Sequence, residues 1–521
     1  MAAIEILDTS LRDGAQAQGI GFSLADKQKI ALALDSLGIP LIEGGNPYSN
    51  QKDTAFFSEK LPLENSRLVA FSSTLKPGST AENDAALQAV LASHAKVVSL
   101  FGKTAVSHVK EVLRCSLEEN LRIIFESVRF LNSKGINVLF DAEHFFDGYR
   151  EDSAYALACL EAAKKGGASL MVLCDTNGGA LPDFVFETTK EVVNRSPVPV
   201  GIHCHNDCGL AVANTLAAVN AGARHVQGTF LGIGERCGNA DLCTLIPLLQ
   251  LKCGYTLIPP AALQRLSDTA RTIGDIMNLT ANEHAPFIGS AAFAHKAGMH
   301  IDGVLKASDT FEHLSPEAVG NRRRFLISEQ AGKAGVQAKL EKIIPGMKKN
   351  SPELEKVLAR LKEKEYRGYT YENADASFEL MALNTLGLRK QFFEVLDFHV
   401  LSHRPQRHED MAKSAQAYIK INVDGKEEIN AAEGDGPVNA LDQALRKALS
   451  RFFPALNHMR LKDFKVRVLD SGGTASAVRV SIESTDGTHD WGTVGVSTNI
   501  IQACFKALVD SIDYMLTFYQ E

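Results

Sequence analysis

The chain has 521 residues, 45% of them hydrophobic and 22% charged, which is typical of a globular protein with two to four domains. With 55 Lys and Arg against 62 Asp and Glu, the net charge of −7 excludes the basic footprint of a nucleic-acid-binding protein. No apolar run approaches the ~18 residues of a membrane span, and no signal peptide opens the sequence, so we expect no membrane association. Nine cysteines, an odd number, indicate reduced thiols and a cytoplasmic location rather than a disulfide framework.

The N-terminal part of the chain repeats one unit, in which a short apolar run ends in polar residues and an amphipathic helical stretch follows. Stretches such as 23–38 and 116–135 begin with Ser as a predicted N-cap and end with Gly as a predicted C-cap. The runs predicted as strands are 4–9, 41–45, 68–73, 96–101, 137–143, 170–176, 198–205 and 225–230. Eight alternating units predict an α/β fold closed as a (β/α)8 TIM barrel. The alternative is an open doubly wound sheet, but the turn "DTSLRDGAQ" is not the Gly-rich phosphate loop that such a sheet carries.

Polar residues cluster where these predicted strands end. In a TIM barrel the active site lies at the carboxyl ends of the strands, so this clustering predicts a site at one mouth of the barrel. The candidates in chain order are Arg12, Asp13, Glu43, Glu143, Asp175, Thr176, His203, His205, Glu235 and Asn239.

The segment "GIHCHNDCG" at 201–209 places two histidines two residues apart on a predicted strand. Such residues share a face, so His203 and His205 point the same way. A zinc finger is disfavoured because the chain contains no CxxC pair, whereas two hydrogen-bonded structural histidines remain an alternative. With Asp13 and Asn239 at the same mouth, the donor set favours a divalent metal such as Zn, Mn, Co or Mg.

Beyond the barrel the sequence pattern changes twice. Residues 285–375 are charged and predicted to be rich in helix. Later residues form two copies of a unit of strands followed by a helix, whose predicted helices lie at 436–453 and 498–516. We therefore predict three domains, with bounds at 1–285, 286–378 and 379–521.

Three segments in order, "LDTSLRDGAQ", "GIHCHNDCGLAVANTLAAVNAGARHVQGTFLGIGERCGNADL" and "HKAGMHIDGVLK", resemble the acyl-CoA Claisen-condensing enzymes. These are 2-isopropylmalate synthase, homocitrate synthase and citramalate synthase, within a wider group of metal-dependent barrel lyases that includes hydroxymethylglutaryl-CoA lyase. The stretches "FDAEHFFDGY" and "CDTNGG" are most similar to the bacterial citramalate synthase branch. This resemblance implies condensation of acetyl-CoA with pyruvate to citramalate and CoA, the first step of a threonine-independent route to isoleucine.

The resemblance also implies roles for individual residues. Asp13, His203 and His205 would ligate the metal, with Asn239 as a fourth or outer ligand. Arg12 would hydrogen-bond the keto oxygen, and Thr176 would bind the substrate carboxylate. Glu143 would act as base or relay near the acetyl-CoA methyl group, while His300 and Asp302 would act on the acetyl group or its hydrolytic water. A metal-chelated 2-oxo acid, a fixed cation and a tuned base are what such a condensation requires.

The resemblance gives functions to the segments beyond the barrel. Residues 286–378 would form helical linker subdomains that carry the His300 motif. Residues 379–521 would form a regulatory domain that binds isoleucine or leucine as feedback effector, or that serves dimerisation alone, and a homodimer is expected. The alternative functions are 2-isopropylmalate synthase, then homocitrate synthase, a lyase that runs the reverse cleavage, and a non-catalytic amino-acid sensor.

Several residues also have simpler interpretations. Asp13 could cap a helix, Glu143 could pair with a neighbouring Lys, and Thr176 could cap the following helix. Glu235 and Arg236 are predicted to form a structural pair. Two departures from the family pattern stand out, because Phe311 replaces a tyrosine of relatives and Asp141 lies where some relatives place an aromatic residue.

Overall fold

The fold is known from a computed structural model, which describes residues 2–402 and 414–519. The chain divides into two compact units. The first unit contains Met1–Phe293 and Leu314–Arg322, and the second contains Ala294–His313 and Arg323–Glu521.

Eight parallel strands of the first unit close into a barrel in sequential order. They are β1 (Glu5–Asp8), β2 (Leu41–Gly45), β3 (Arg67–Ser73), β4 (Val97–Lys103), β5 (Asn137–Glu143), β6 (Leu170–Asp175), β7 (Val200–Cys204) and β8 (His225–Gly228). The ring closes where β1 pairs with β8, for example through Leu7 and Gln227. The TIM-barrel prediction is confirmed, and the open doubly wound sheet is excluded because that sheet would leave both edge strands unpaired.

Helices follow the strands of the barrel. They are α1 (Leu24–Leu37), α2 (Gln51–Ser58), α3 (Ala85–Ala92), α4 (Val106–His108), α5 (Leu117–Ser133), α6 (Phe145–Glu151), α7 (Ser153–Gly166), α8 (Pro182–Arg195), α9 (Ala211–Asn220), α10 (Leu242–Pro247), α11 (Pro260–Leu263) and α12 (Leu266–Ile276). The predicted caps of α1 are confirmed, because the Ser23 side chain accepts from the Asp26 amide and Gly38 adopts φ +87°. In α5, Ser116 is the N-cap, but the C-cap is Lys134, with Gly135 one residue further on at φ +76°.

The barrel has two apolar layers, as its period-2 strands require. Alternate strand residues point inward and form a small central cluster of buried side chains: Leu7, Leu41, Val69, Val97, Leu139, Leu170, Val172 and Cys174. The other strand residues pack outward against the helices in a much larger core. The barrel is therefore a packed core and not an open pore.

The second unit begins with a pair of short parallel strands, β9 (Ala294–His295) and β10 (Arg324–Phe325). Its first helices are α13 (Gly298–Lys306), α14 (Gly332–Leu340), α15 (Pro352–Tyr366) and α16 (Asp375–Thr385). Helices α14 to α16 share an apolar cluster that includes Val336, Leu354 and Phe378. Helix α13 carries His300.

Two similar modules follow, each of three antiparallel strands and one helix. The first has β11 (Glu394–Ser402), β12 (Ala415–Val423), β13 (Lys426–Gly434) and α17 (Pro437–Leu449), and the second has β14 (Arg460–Val468), β15 (Val478–Thr485), β16 (Asp490–Ser497) and α18 (Ile500–Phe518). The predicted repeat of strands followed by a helix is confirmed, although the third strand of each module, β13 or β16, was not predicted. In β13 the reason is its charged sequence, "KEEINAAEG", whose outer face is exposed to solvent.

None of the helices in the described residues combines the length and apolar character needed to cross a bilayer. All nine cysteines lie in the described ranges, and all are free thiols.

Candidate active site

The predicted metal cluster forms at the mouth of the barrel where β1 and β7 end. Asp13 Oδ2 lies 3.4 Å from His203 Nε2 and 3.8 Å from His205 Nε2. Ligand atoms of the three side chains all lie within 4.8 Å of one another, and all three residues are buried. A carboxylate and two imidazoles that converge at distances beyond a normal hydrogen bond fit a divalent cation held between them.

Burial sets the protonation of this cluster. It lowers the pKa of His203 to about 3, with the neighbouring His205 adding to the effect, and it also lowers the pKa of His205. Burial opposes ionisation of Asp13, but the charge of Arg12, together with the neighbouring side chains, outweighs it and lowers the Asp13 pKa. Neutral imidazoles beside a carboxylate are the protonation states that a metal ligand requires.

Asn239 pairs with His205 through an isolated antiparallel bridge between their backbones. Its Nδ2 donates to the Ile233 carbonyl at 3.2 Å, which orients the amide. Its Oδ1 is buried and has no hydrogen-bond partner in the described part of the chain. An unpaired buried acceptor next to the cluster suits an outer ligand or a water bound to the ion.

The Asp13 side chain does not cap a helix. It precedes a short 3₁₀ turn at Gly14–Gln16, but no hydrogen bond from the Asp13 side chain caps this turn. Its carboxylate is directed toward the histidines instead, so the N-cap alternative is wrong.

Arg12 is fixed on three sides beside this cluster. Its Nε donates to Glu43 Oε2 at 2.6 Å, and Nη1 lies 3.5 Å from Asp13 Oδ2. Its Cζ lies 3.9 Å from the centroid of the Phe71 ring, a cation–π contact. Burial disfavours the charge, but the carboxylates of Glu43 and Asp13 outweigh it and raise the Arg12 pKa. Arg12 is therefore a permanent cation in a defined orientation.

Two further carboxyl groups lie in the barrel interior. Burial raises the pKa of Glu43 to about 7, against the opposing charge of Arg12. Asp141 accepts from Ser99 Oγ at 2.5 Å and from Gln227 Nε2 at 3.0 Å, and burial raises its pKa. The position of Glu43 at a strand end agrees with the prediction, but its contact with Arg12 was not predicted.

Glu143 ends β5 and is held by the end of β4. Lys103 Nζ lies 2.6 Å from its Oε2, so the predicted pairing with a neighbouring lysine is present. The Glu143 carbonyl also accepts from Thr104 Oγ1 at 2.7 Å. The lysine positions the carboxylate and the threonine holds the backbone of the same residue. The role of Glu143 as base or relay remains a prediction.

Thr176 follows β6 and is held at its hydroxyl and at its carbonyl oxygen. Its Oγ1 accepts from the His144 amide at 2.9 Å, and its carbonyl accepts from Arg236 Nη2 at 2.8 Å. It does not cap the next helix, α8, whose N-cap is Leu181. The neighbouring Asp175 accepts from the amides of the Gly179–Ala180 turn and so has a structural role.

Arg236 lies closer to another carboxylate than to that of its predicted partner, Glu235. Its guanidinium forms a two-point contact with Asp207, at 2.8 and 2.9 Å, whereas Glu235 lies 3.8 Å away. Asp207 was not singled out in the sequence, although it lies in the histidine motif.

The last two predicted site residues lie in the second unit. The His300 ring stacks on Phe311, with ring centroids 4.4 Å apart. Asp302 pairs with Lys306 and Lys349, each at 2.6 Å, and these contacts lower its pKa to about 2. The pair with Lys306 lies within α13, whereas the pair with Lys349 joins this helix to the segment after α14. Asp302 therefore has structural partners in the second unit, and its catalytic role remains a prediction.

Comparison with known proteins assigns the chain to a family. Residues 3–273 match the family described as HMGL-like, residues 287–368 match the homocitrate synthase post-HMGL domain-like family, and residues 372–516 match the LeuA allosteric (dimerisation) domain. The (R)-citramalate synthase of Aquifex aeolicus is 47% identical over 517 residues, which cover 98% of each chain. The chain belongs to the citramalate synthase family.

Two further relatives differ in their identity to this chain. The (R)-citramalate synthase of Synechocystis sp. is 48% identical over 524 residues, which cover 98% of this chain and 96% of the relative. A probable 2-isopropylmalate synthase of Methanosarcina acetivorans is 30% identical over 515 residues, which cover 98% of this chain and 95% of the relative. Coverage is thus equally complete, but identity is lower to the 2-isopropylmalate synthase.

Proposed function

We propose that this enzyme condenses acetyl-CoA with pyruvate to give citramalate and CoA, with hydrolysis of the intermediate thioester. The observation that carries the proposal is the buried cluster of Asp13, His203 and His205 with the fixed guanidinium of Arg12 beside it. A 2-oxo acid presents a carboxylate and a keto oxygen, the groups that a divalent cation and an arginine bind together. The higher identity to citramalate synthases supports pyruvate over the larger 2-oxo acids.

The metal would be held by Asp13, His203 and His205, with Asn239 as a fourth or outer ligand. When bound, a divalent cation polarises the keto group of the 2-oxo acid. Nitrogen and oxygen donors without a thiolate favour Mn, Mg, Zn or Co over Cu(I) or an iron–sulfur cluster.

Arg12 would donate to the keto oxygen as negative charge develops there. Since Glu43 and Phe71 already hold its guanidinium, little reorganisation is needed during the reaction. Because Arg12 is always protonated, it stabilises this charge without transferring a proton.

Thr176 would bind the carboxylate of the 2-oxo acid through its hydroxyl. Glu143, positioned by Lys103, would take the proton from the methyl group of acetyl-CoA, directly or through a relay. His300 and Asp302 would act on the acetyl group or on the water that hydrolyses the thioester.

The C-terminal modules would regulate this reaction. Because they match the LeuA allosteric (dimerisation) domain, we propose that they bind isoleucine, or less favourably leucine, and form a homodimer. Inhibition by each amino acid and light scattering of the purified protein test the two parts separately. The free cysteines support the proposed cytoplasmic location.

A thiol-release assay tests the proposed reaction. Purified protein receives acetyl-CoA, Mn or Mg, and in turn pyruvate, 2-oxoisovalerate, 2-oxobutanoate and 2-oxoglutarate. We expect the fastest CoA release with pyruvate. Fastest release with 2-oxoisovalerate would favour 2-isopropylmalate synthase, and with 2-oxoglutarate homocitrate synthase. Release with none of them by folded, metal-loaded protein would favour the amino-acid sensor.

A further inference from the structure

A hydrogen bond joins the residue that follows β5 to the residue that follows β6. The backbone N–H of His144 donates to Thr176 Oγ1 at 2.9 Å. Because the threonine oxygen accepts this bond, its own O–H proton stays free to donate elsewhere. The direction of the His144 N–H therefore fixes where the Thr176 hydroxyl can point.

His144 adopts a backbone conformation that a non-glycine residue rarely takes. Its φ is +59° and its ψ +32°, in the left-handed region. A residue with a Cβ is strained there, and such conformations persist only where surrounding contacts hold them. The turn that aims the N–H at Thr176 must therefore be held by other contacts of His144.

The side chain of His144 supplies these contacts. His144 is 8% exposed, and its ring packs on the ring of His108, with centroids 3.9 Å apart. Its Nδ1 lies 3.6 Å from Asp147 Oδ2, and the same carboxylate oxygen accepts from Asn177 Nδ2 at 2.8 Å. Since Asn177 directly follows Thr176, Asp147 of α6 forms a second connection between the segments that follow β5 and β6.

We propose that His144 is a positioning residue for the 2-oxo acid. Its imidazole, held between His108 and Asp147, keeps the left-handed turn whose N–H orients the Thr176 hydroxyl toward the substrate carboxylate. The inference rests on the proposed function, in which Thr176 binds that carboxylate. His144 itself need not touch substrate.

The test compares steady-state KM and kcat of His144→Ala, His144→Asn and His144→Gly in the full chain. Alanine loses the ring and keeps the strain, so we expect the KM for pyruvate to rise about tenfold while the KM for acetyl-CoA changes less than about twofold. Asparagine and glycine tolerate the left-handed region, so both should recover much of the pyruvate KM.

A matched control exists at the other end of the barrel. His94 is also a non-glycine residue in the left-handed region, at φ +59°, but it is exposed and precedes the amino end of β4. His94→Ala should leave both KM values unchanged. His108→Ala should imitate His144→Ala, whereas His108→Phe should keep the ring contact and the pyruvate KM.

Two outcomes would overturn the proposal. One is a pyruvate KM for His144→Ala within about twofold of the parent. The other is an equal loss in all three His144 variants of normal fold by circular dichroism, which would mean that the ring acts directly. The variant Thr176→Val separates this inference from the proposed function. If Thr176→Val leaves the pyruvate KM unchanged, Thr176 does not bind the substrate carboxylate. If Thr176→Val raises the pyruvate KM but His144→Ala does not, only the role of His144 is wrong.

Discussion

The imidazole of His300 lies nearly parallel to the phenyl ring of Phe311, with centroids 4.4 Å apart and an interplanar angle of 24°. Phe311 packs so closely over Gly303 that a Cβ there would lie 2.4 Å from its Cε2. The residue that departs from the family pattern thus contacts the proposed catalytic histidine through its ring face, which needs no hydroxyl.

Removing the Phe311 ring should therefore impair the enzyme, whereas adding a hydroxyl should not. We expect Phe311→Ala to lower kcat about fivefold, because an aromatic stack of this kind contributes about 1 kcal/mol to holding the partner ring. Phe311→Tyr should keep at least half of the parent rate. Initial rates at saturating pyruvate and acetyl-CoA measure both. An unaffected Phe311→Ala variant would show that the orientation of His300 does not depend on the stack.

Loss of one histidine from the metal cluster should remove both metal and activity. We expect His203→Ala to lower kcat/KM by at least ~100-fold and to reduce bound metal measured by mass spectrometry. His225 provides the control, because it is a buried histidine of the neighbouring β8 that pairs with Glu5 at the opposite end of the barrel. His225→Gln should retain metal. Full turnover of the parent enzyme in excess EDTA would contradict the metal assignment.

The orientation of Arg12, and not only its charge, should matter. Arg12→Lys keeps a cation but loses the Nε contact with Glu43, so we expect kcat to fall by about 10²–10³. Glu43→Gln keeps the arginine and one acceptor oxygen, so its kcat should fall less, by about tenfold. Single-turnover rates with pyruvate measure both variants. Equal rates for Arg12→Lys and the parent would show that a point charge is sufficient.

The sequence predicted the barrel well because a barrel repeats the same physical pattern eight times. Strands such as β6 and β7 are buried on both sides and are therefore mainly apolar, with polar residues concentrated at their carboxyl ends. The convergence of Asp13 with the histidines followed from the same logic, since all strand ends meet at one mouth. Edge strand β13 carries no such pattern, because one of its faces is exposed to solvent.

The partners of the site residues could not be predicted in the same way. The Arg12–Glu43 contact depends on the direction of two side chains from neighbouring strands, and the hydrogen bond to Thr176 depends on one backbone torsion of His144. Neither depends on residue type at a fixed spacing, so a single sequence carries no signal for either.

The stability of the barrel should depend on pH through Asp8, at the end of β1. Asp8 is fully buried and accepts from the Ser10 amide at 3.0 Å and from Ser10 Oγ at 2.9 Å. Burial raises its pKa from 3.8 to about 7. Between these two values the unfolded chain has released the proton while the folded barrel retains it. The free energy of unfolding therefore falls as pH rises across this window, by at most about 1.4 kcal/mol per pH unit, and the effect is complete above pH 7.

Asp8→Asn cannot titrate and should remove this dependence. We compare the free energy of unfolding of the variant with that of the parent. We expect this difference to be about 1–3 kcal/mol more favourable to the variant at about pH 8 than at about pH 5. Urea unfolding of both proteins at the two pH values measures the double difference, which cancels every other titrating group. The exposed Glu82→Gln should show no such gain. The free energies of unfolding of Asp8→Asn and the parent could instead differ by the same amount at both pH values. That result would mean that Asp8 is already ionised in the folded barrel at pH 5, stabilised by Ser10 despite its burial.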